Sequence, residues 1–135
     1  QRCIYVFVLT CEHERLRKDG ISTDIIRGDV SAANRTQIFK TFQETSDPRV
    51  LIIQPQAAAH GVTLTAANTV VWWGPTSSLE TYAQANARVH RSGQKHKCTV
   101  VQLCGSTVEK RVYTLLDNRI DVHTKMIDLY KEILD

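Results

Sequence analysis

The segment QANARVHRSGQ, residues 84–94, carries the side chains of this chain that are best suited to chemistry on an anion. On a helix, Gln84, Arg88 and Arg91 would line one face, because they are separated by four and three residues. Two arginines one turn apart repel each other unless they share an anionic partner, and a triphosphate is such a partner. Guanidinium groups keep their charge and fit phosphate oxygens. The spacing therefore predicts either a phosphate-binding pair or a solvated basic face that touches DNA phosphates.

Short apolar runs alternate with helical patterns along the chain, and these elements must position the arginines. Most of the apolar runs are continuous rather than alternating, which is typical of strands covered on both faces. The alternation predicts an α/β fold with right-handed crossovers and a mostly parallel sheet flanked by helices. The predicted strands are Cys3–Leu9, Thr23–Ile26, Arg49–Ile53, Thr69–Trp73 and Cys98–Leu103. The predicted helices are Cys11–Asp19, Ala32–Phe42, Ser78–Arg91 and a stretch from Thr107 towards Leu134.

Two helix starts have chemical support. Ser77 with Glu80, and Ser106 with Glu109, fit the capping box, in which side chains bind free N–H groups of the first helical turn. Residues 117–121, DNRID, have low helix propensity, so we expect the last helix to break there.

The loops that follow the strands are the expected ligand loops, because parallel sheets bind ligands at the carboxyl ends of their strands. Thr10 follows the first predicted strand and Gly28 follows the second. A hydroxyl and free N–H groups suit phosphate contacts that do not read bases. For Thr10 a helix N-cap is the alternative role.

Several other residues are predicted to be structural. Gly93 is expected to end the preceding helix with a positive φ. Of Trp72 and Trp73, one is expected to face the core and the other to cover the sheet edge or a cleft, with stacking on a base as the alternative. No two cysteines have C-x-x-C spacing, so we predict small buried residues and no zinc site. The cysteines are Cys3, Cys11, Cys98 and Cys104.

The composition is that of a globular domain with a mild positive charge. The chain has 135 residues, of which 42% are hydrophobic and 23% charged, and this suits a single domain. A net charge of +3 is weak support for a nucleic-acid partner. No apolar run approaches the ~20 residues needed to span a bilayer. Because the chain begins inside a strand pattern and without Met, we expect it to be part of a larger protein.

Two features of nucleotide hydrolases are missing from the sequence. It contains no G-x-x-x-x-G-K-[ST] loop, and no predicted strand ends in an Asp-Glu pair that could hold magnesium. The five histidines form no ligand-spaced set with carboxylates. The chain therefore does not carry its own nucleotide-hydrolysing centre, which argues against a small autonomous hydrolase.

The arginine segment resembles motif VI of the Swi/Snf-type ATPases, which are DNA translocases of helicase superfamily two. VLIIQPQAAAHGVTLTAANTVV is similar to motif V and the strand after it, GDVSAANRTQIFKTFQ to the segment before it, and CIYVFVLT to the start of motif IV. TVVQLCGSTVEKRVYTLL resembles the strand and helix that follow motif VI. The resemblance covers essentially the whole chain and is strongest to the compact phage and bacterial branch. It implies a RecA-like three-layer domain, the second lobe, over residues 1–135, with 107–135 as a C-terminal helical extension.

The resemblance also implies roles for individual residues. Arg91 is expected to be an arginine finger, with Arg88 as its partner and Gln84 orienting both or touching the nucleotide. ATP would be shared with a first RecA-like lobe that also binds Mg²⁺, so this lobe alone is expected to be inactive. DNA would be bound through phosphates, without sequence specificity. The residues implied for DNA contact are Thr10, Gly28, Gly61 and Thr63. The expected location is the cytoplasm of a bacterial or phage-infected cell, with no membrane partner.

The sequence departs from the family pattern at several positions of motifs V and VI. Ala58 and Ala59 replace the usual pair of glycines, Thr63 replaces Asn, and Ala87 replaces the Asp before the first arginine. Alanine allows a less close approach of the backbone to a DNA phosphate. A freestanding RecA-like module that binds nucleic acid or a partner protein, with no ATPase role, is the alternative function. Loss of the motif VI arginines would favour it, and both arginines are present.

Overall fold

Strands and helices alternate through the part of the chain that the computed structural model describes, residues 2–6, 11–59 and 61–119. The strands are β1 (Cys3–Val6), β2 (Thr23–Ile26), β3 (Val50–Ile53), β4 (Thr69–Trp72) and β5 (Thr99–Gln102). The helices are α1 (Cys11–Lys18), α2 (Ala32–Glu44), α3 (Leu79–Val89) and α4 (Thr107–Asp117), and a short 3-10 helix spans Pro55–Ala59.

The five strands form one sheet in the order β2-β3-β1-β4-β5, and every neighbouring pair is parallel. Ile4, Leu51, Val70 and Val100 lie side by side across β1, β3, β4 and β5. Helices cover both faces, because α1 contributes Leu16 to one apolar cluster while α2, α3 and α4 contribute to the other. The predicted α/β fold with a mostly parallel sheet between helices is confirmed.

The larger core lies between the sheet and α2, α3 and α4. Alternate strand residues face it, so Leu51, Ile53, Val70 and Trp72 are almost fully buried. The helices add residues at spacings of three and four, which place them on one face of each helix. These residues are Phe39 and Phe42 of α2, Tyr82, Ala85 and Val89 of α3, and Val112, Tyr113 and Leu116 of α4. Burying each of the large side chains stabilises the fold by about 1.5–3 kcal/mol.

One of the two tryptophans is buried and the other is exposed, as predicted. Trp72 is fully buried, and its Nε1 donates to Asn86 Oδ1 of α3 at 3.0 Å. Trp73, the next residue, is 45% exposed, because it follows the last residue of β4. Cys104 is exposed and Cys98 is partly buried, so the prediction of buried cysteines is wrong for Cys104, which lies in the loop after β5.

The helix boundaries differ in detail from those predicted. Ser78, and not Ser77, caps α3, because its Oγ accepts a hydrogen bond from the N–H of Thr81 at 3.1 Å. The cap of α4 is Ser106, as predicted, and it accepts from the N–H of Glu109.

The last described helix stops where its sequence predicts. α4 ends at Asp117, and Arg119 has a φ of 56°, which confirms the predicted break. The rest of the predicted helical extension, residues 120–135, lies outside the described residues, as does the end of the first predicted strand. No helix among the described residues is long and apolar enough to cross a membrane.

Candidate functional site

The end of α3 determines how the two arginines are placed. α3 stops at Val89, and the N–H of His90 donates to Asn86 O at 3.0 Å as the last helical bond. His90 has φ −84° and ψ 79°, so the chain leaves the helix there. Gln84 and Arg88 share a face of α3, but Arg91 lies two residues beyond its end. The prediction of one helix face with all three residues is therefore wrong for Arg91.

A tight turn follows the helix and explains its early end. The N–H of Gln94 donates to Arg91 O at 3.0 Å, which closes the turn. Gly93 has a φ of 96° within this turn. The predicted positive φ is confirmed, but the glycine serves the turn and not the helix cap. Glycine suits this position because L side chains rarely adopt such a φ.

Gln94 ties this turn to the rest of the lobe. Its Nε2 donates to Ala67 O at 2.7 Å and to Val89 O at 3.0 Å. Its Oε1 accepts from the N–H of His96 at 3.1 Å. Sequence reasoning gave this residue no role, although an amide is the side chain type that can donate and accept at once.

The guanidinium of Arg91 meets the segment that resembles motif V. Arg91 Nη1 donates to Thr63 Oγ1 at 3.2 Å, and both residues are exposed. Next to this bond, the N–H of Leu64 donates to Arg88 O at 2.9 Å. The fold thus brings together Thr63, which the resemblance implied for DNA contact, and the two arginines implied for ATP.

Gln84 has a different neighbour from the one expected. Its Nε2 donates to Glu80 Oε1 at 2.9 Å, one turn earlier on the exposed side of α3. Arg88 is partly buried and lies at the end of α3 near the segment that holds Thr63.

The arginine cluster lies towards the amino edge of the sheet. Gln94 binds Ala67 O, and Ala67 is followed by Asn68. The backbone N–H of Asn68 donates to Arg2 O at 3.3 Å, and its side-chain Nδ2 donates to Lys97 O at 3.4 Å. Asn68, Arg2 and Lys97 precede β4, β1 and β5. The arginines therefore lie away from the loops after the strands, which the sequence predicted as ligand loops, because α3 runs antiparallel to the strands and returns to the amino edge.

Gly28 does lie at the carboxyl edge, after β2, but its N–H is not free. It donates to Gln54 Oε1 at 2.9 Å, and Gln54, which follows β3, also donates its own N–H to Ile26 O at 3.0 Å. The N–H of Gly28 is therefore not free in this structure, and its contact with a DNA phosphate stays a prediction.

Of the two remaining residues implied for DNA contact, the structure describes one. Gly61 is exposed, and a Cβ there would meet no heavy atom within 4 Å, so the lobe itself does not require a glycine at this position. Thr10 lies outside the described residues, and its predicted contact is untested.

The surroundings of the arginines are cationic. Between Glu80 and Glu109 the sequence has no Asp or Glu, whereas Arg88, Arg91, Lys95 and Lys97 lie within it. Arg91, Lys95 and Lys97 are exposed. A groove of about 490 Å³ opens beside Arg91 and Lys97, with Val70, Val89 and Val100 as its apolar part. Such a surface attracts phosphate groups.

Residues 1–93 match the family described as the helicase conserved C-terminal domain. This chain belongs to that helicase family. The match ends at Gly93, so it includes both arginines of the cluster, and the antiparallel return of α3 is part of the matched region.

Relatives of this helicase lobe are much longer proteins. It is 33% identical, over 97% of its length, to the bifunctional helicase and thymine dioxygenase JBP2 of Leishmania tarentolae, and it covers 11% of that protein. It is 37% identical, over 75% of its length, to the chromatin-remodeling ATPase INO80 of Arabidopsis thaliana, and it covers 6% of that protein. The helicase lobe therefore spans about a tenth or less of these relatives.

A solved structure shares the fold of the helicase lobe. The C-terminal part of the Fun30 ATPase domain superposes with a TM-score of 0.76 at 20% identity, covering 86% of this chain and 39% of that one. This agreement confirms the RecA-like fold that the resemblance implied. The relatives named above come from eukaryotes, so the expected phage or bacterial branch, and with it a bacterial location, is not supported.

Proposed function

We propose that this lobe is the second motor lobe of a Swi/Snf-type, DNA-dependent ATPase that translocates on DNA. The observation that carries the proposal is the pairing of Arg88 and Arg91 at one exposed, cationic edge of a chain that has no phosphate loop. Arginines without a phosphate loop are what a lobe needs when the nucleotide is held mainly by another lobe. The name of the Arabidopsis relative, a chromatin-remodeling ATPase, supports the same activity.

In this proposal Arg91 is the arginine finger and Arg88 its partner. A guanidinium keeps its charge and can meet two phosphate oxygens at once, so it stabilises the charge of the phosphoryl group during transfer. An arginine supplied in this way accelerates hydrolysis by roughly 10³–10⁵-fold. Gln84, one turn before Arg88, would orient the arginines or touch the nucleotide once it leaves Glu80.

The donor chemistry of this edge fits the phosphates of ATP but not a metal ion. Among the residues described, no group of three or more His, Cys, Asp or Glu side chains could hold a metal. We therefore assign Mg²⁺ and the phosphate loop to a first RecA-like lobe. Without that lobe the chain has arginines for the transferring phosphoryl group but nothing to orient ATP, so we expect it to be inactive alone.

DNA contacts through phosphates complete the proposal. Thr10, Gly28, Gly61 and Thr63 are the proposed contacts, and none of them has a side chain that makes the bidentate base contacts on which strong sequence readout depends. At Gly28 a phosphate would have to displace Gln54 Oε1 from the N–H. Neutral contacts of this kind position the DNA backbone, whereas a steep fall of affinity with salt comes from Lys and Arg side chains that neutralise phosphates.

The test is DNA-stimulated ATP turnover in a protein that joins this lobe to its first lobe. We expect Arg91→Ala to lower kcat by roughly 10³-fold or more, and Arg88→Ala to lower it strongly, with nucleotide still bound. Arg15→Ala is the matched control, because Arg15 is an exposed arginine of α1 whose ion pair with Asp19 at 3.5 Å contributes little.

The opposite pattern would support the freestanding binding module. If both arginine variants hydrolyse ATP normally but bind DNA more weakly, with a shallower dependence on salt, the arginines are DNA clamps. The arginine-finger role of this lobe would then be rejected.

A further inference from the structure

We propose that the Thr63 hydroxyl is a positioning group for Arg91, which holds the guanidinium ready for the phosphoryl group. The inference rests on the proposed function, because it assigns a second residue to the arginine finger. It gives Thr63 a role within the lobe in addition to the DNA contact implied by resemblance. The observation behind it is the 3.2 Å bond from Arg91 Nη1 to Thr63 Oγ1.

Arg91 needs such a group because the helix does not orient it. α3 ends at Val89, and Arg91 is an exposed residue of the following turn. A long side chain in this position samples many rotamers, and an ordered one loses that freedom only if something binds it. Among the described residues, the Thr63 hydroxyl accepts a hydrogen bond from its guanidinium.

Thr63 is itself held firmly by its neighbours. Leu64 is buried, and its N–H binds Arg88 O at 2.9 Å. The next two residues, Thr65 and Ala66, are bound by the side chain of Gln43 in α2. Gln43 donates to Thr65 Oγ1 at 2.9 Å and accepts from the N–H of Ala66 at 3.0 Å. A tethered segment can fix a flexible arginine, whereas a mobile one could not.

Gln94 fixes the other end of the same arginine. Its side chain donates to Ala67 O, four residues after Thr63, and to Val89 O at the end of α3. Its backbone N–H donates to Arg91 O. The backbone of Arg91 is therefore held against the segment that supplies the hydroxyl. The backbone and the guanidinium of Arg91 are therefore both held by the segment before β4.

A hydroxyl suits this role better than a carboxylate. It accepts one of the five guanidinium hydrogens and leaves the others for phosphate oxygens. Because it is neutral, it orients the charge without cancelling it, whereas a carboxylate would offset the charge that the transition state needs.

The test compares Thr63→Val with Thr63→Ser in the two-lobe protein. Valine keeps the shape but removes the acceptor, so we expect kcat to fall roughly two- to ten-fold with KM for ATP little changed, as for loss of one hydrogen bond. Serine keeps the hydroxyl and should restore kcat to within about two-fold of the wild type. The control is Thr114→Val, which loses a hydroxyl that donates to Lys110 O at 3.0 Å on the exposed side of α4, and it should leave kcat unchanged.

A double-mutant cycle with Arg91→Ala separates the possible outcomes. If Thr63 acts through Arg91, adding Thr63→Val to Arg91→Ala in single-turnover assays causes no further loss. If Thr63→Val lowers turnover equally in both backgrounds, or leaves kcat unchanged in the wild type, the positioning role is wrong while the finger stands. If Arg91→Ala itself leaves kcat unchanged, the proposed function fails and the positioning role fails with it.

A second measurement uses this chain alone and needs no turnover. The rotation rate of the Arg91 guanidinium, measured by NMR of its side-chain nitrogens, should rise in Thr63→Val and stay near the wild-type rate in Thr63→Ser. Equal rates in all three proteins would show that Thr63 does not hold Arg91 in solution.

Discussion

At the scale of single residues, Gln94 shows how one amide sets the path of the chain beside the arginines. Its two N–H groups bind the carbonyls of Ala67 and Val89, and its oxygen accepts from the N–H of His96. Ala67 and Val89 are fully buried residues, so their carbonyls have few other donors within reach. The glutamine that follows Gly93 in the arginine segment is therefore a structural link between the end of α3 and the segment before β4.

Gln94→Glu tests this link with almost no change of shape. The carboxylate loses the N–H donors and faces two carbonyl oxygens, so we expect the free energy of unfolding to fall by about 1–3 kcal/mol. Urea unfolding of this chain measures it. Gln56→Glu is the control, since Gln56 is exposed in the 3-10 helix, and its effect should stay within about 0.5 kcal/mol. Equal effects of the two substitutions would contradict the role of Gln94.

At the scale of elements, a cluster of three polar side chains joins α3, β5 and α4. Tyr82 Oη donates to Asp117 Oδ1 at 2.8 Å, and Gln102 Nε2 donates to Tyr82 Oη at 2.8 Å and to Asp117 Oδ1 at 2.9 Å. Burial, followed by the hydrogen bond to Asp117, raises the pKa of Tyr82 above its ordinary value of 10.0. The cluster anchors the end of α4 at the point where the helix breaks.

Tyr82→Phe should lower the free energy of unfolding at pH 8 by about 0.5–1.5 kcal/mol, since one hydrogen-bonded hydroxyl is lost. The folded pKa of Tyr82 is raised, so its contribution is complete below the unfolded pKa and is lost as pH rises above it. We therefore expect the stability gap between wild type and variant to narrow above about pH 10, in denaturant titrations at several pH values.

Two results would speak against that account of the cluster. A gap that stays constant from pH 8 to pH 11 would show that the tyrosine pKa is not raised in the folded lobe. A Tyr82→Phe effect that is as large in an Asp117→Ala background as in the wild type would show that Asp117 does not contribute to it.

At the scale of the whole molecule, the direction of α3 places the arginines at the opposite edge of the sheet from the loops that follow the strands. Strand ends with Gly28 and Gln54 lie at the carboxyl edge, whereas Arg91 lies towards the amino edge. At that edge Arg91 is exposed to solvent and Arg88 is partly exposed, so another lobe can approach them there. In the proposed function, a lobe built in this way supplies charge to a site that another lobe completes.

We therefore expect this chain alone to release no phosphate from ATP above background, with or without DNA, and turnover to appear when the first lobe is joined to it. A phosphate-release assay measures both. Hydrolysis that scales with the concentration of the isolated chain, and persists in Arg91→Ala, would reveal an active site that neither the sequence nor the fold indicates.

The sequence by itself determined the parallel α/β fold, the end of α4 and the identity of the arginine segment. These features depend on local patterns, because strands covered by helices must be apolar throughout and weak helix formers end a helix wherever they occur. It did not determine the end of α3, the bond of Arg91 to Thr63, or the loss of the free N–H of Gly28.

Only the tertiary structure decided those three features, and the reason is the distance along the chain. The bonds of Arg91 with Thr63, of Gln94 with Ala67 and of Gly28 with Gln54 join residues 28, 27 and 26 positions apart. No periodicity within one element encodes such a contact, because it arises only when the crossovers bring α3, the strand ends and the segment before β4 together.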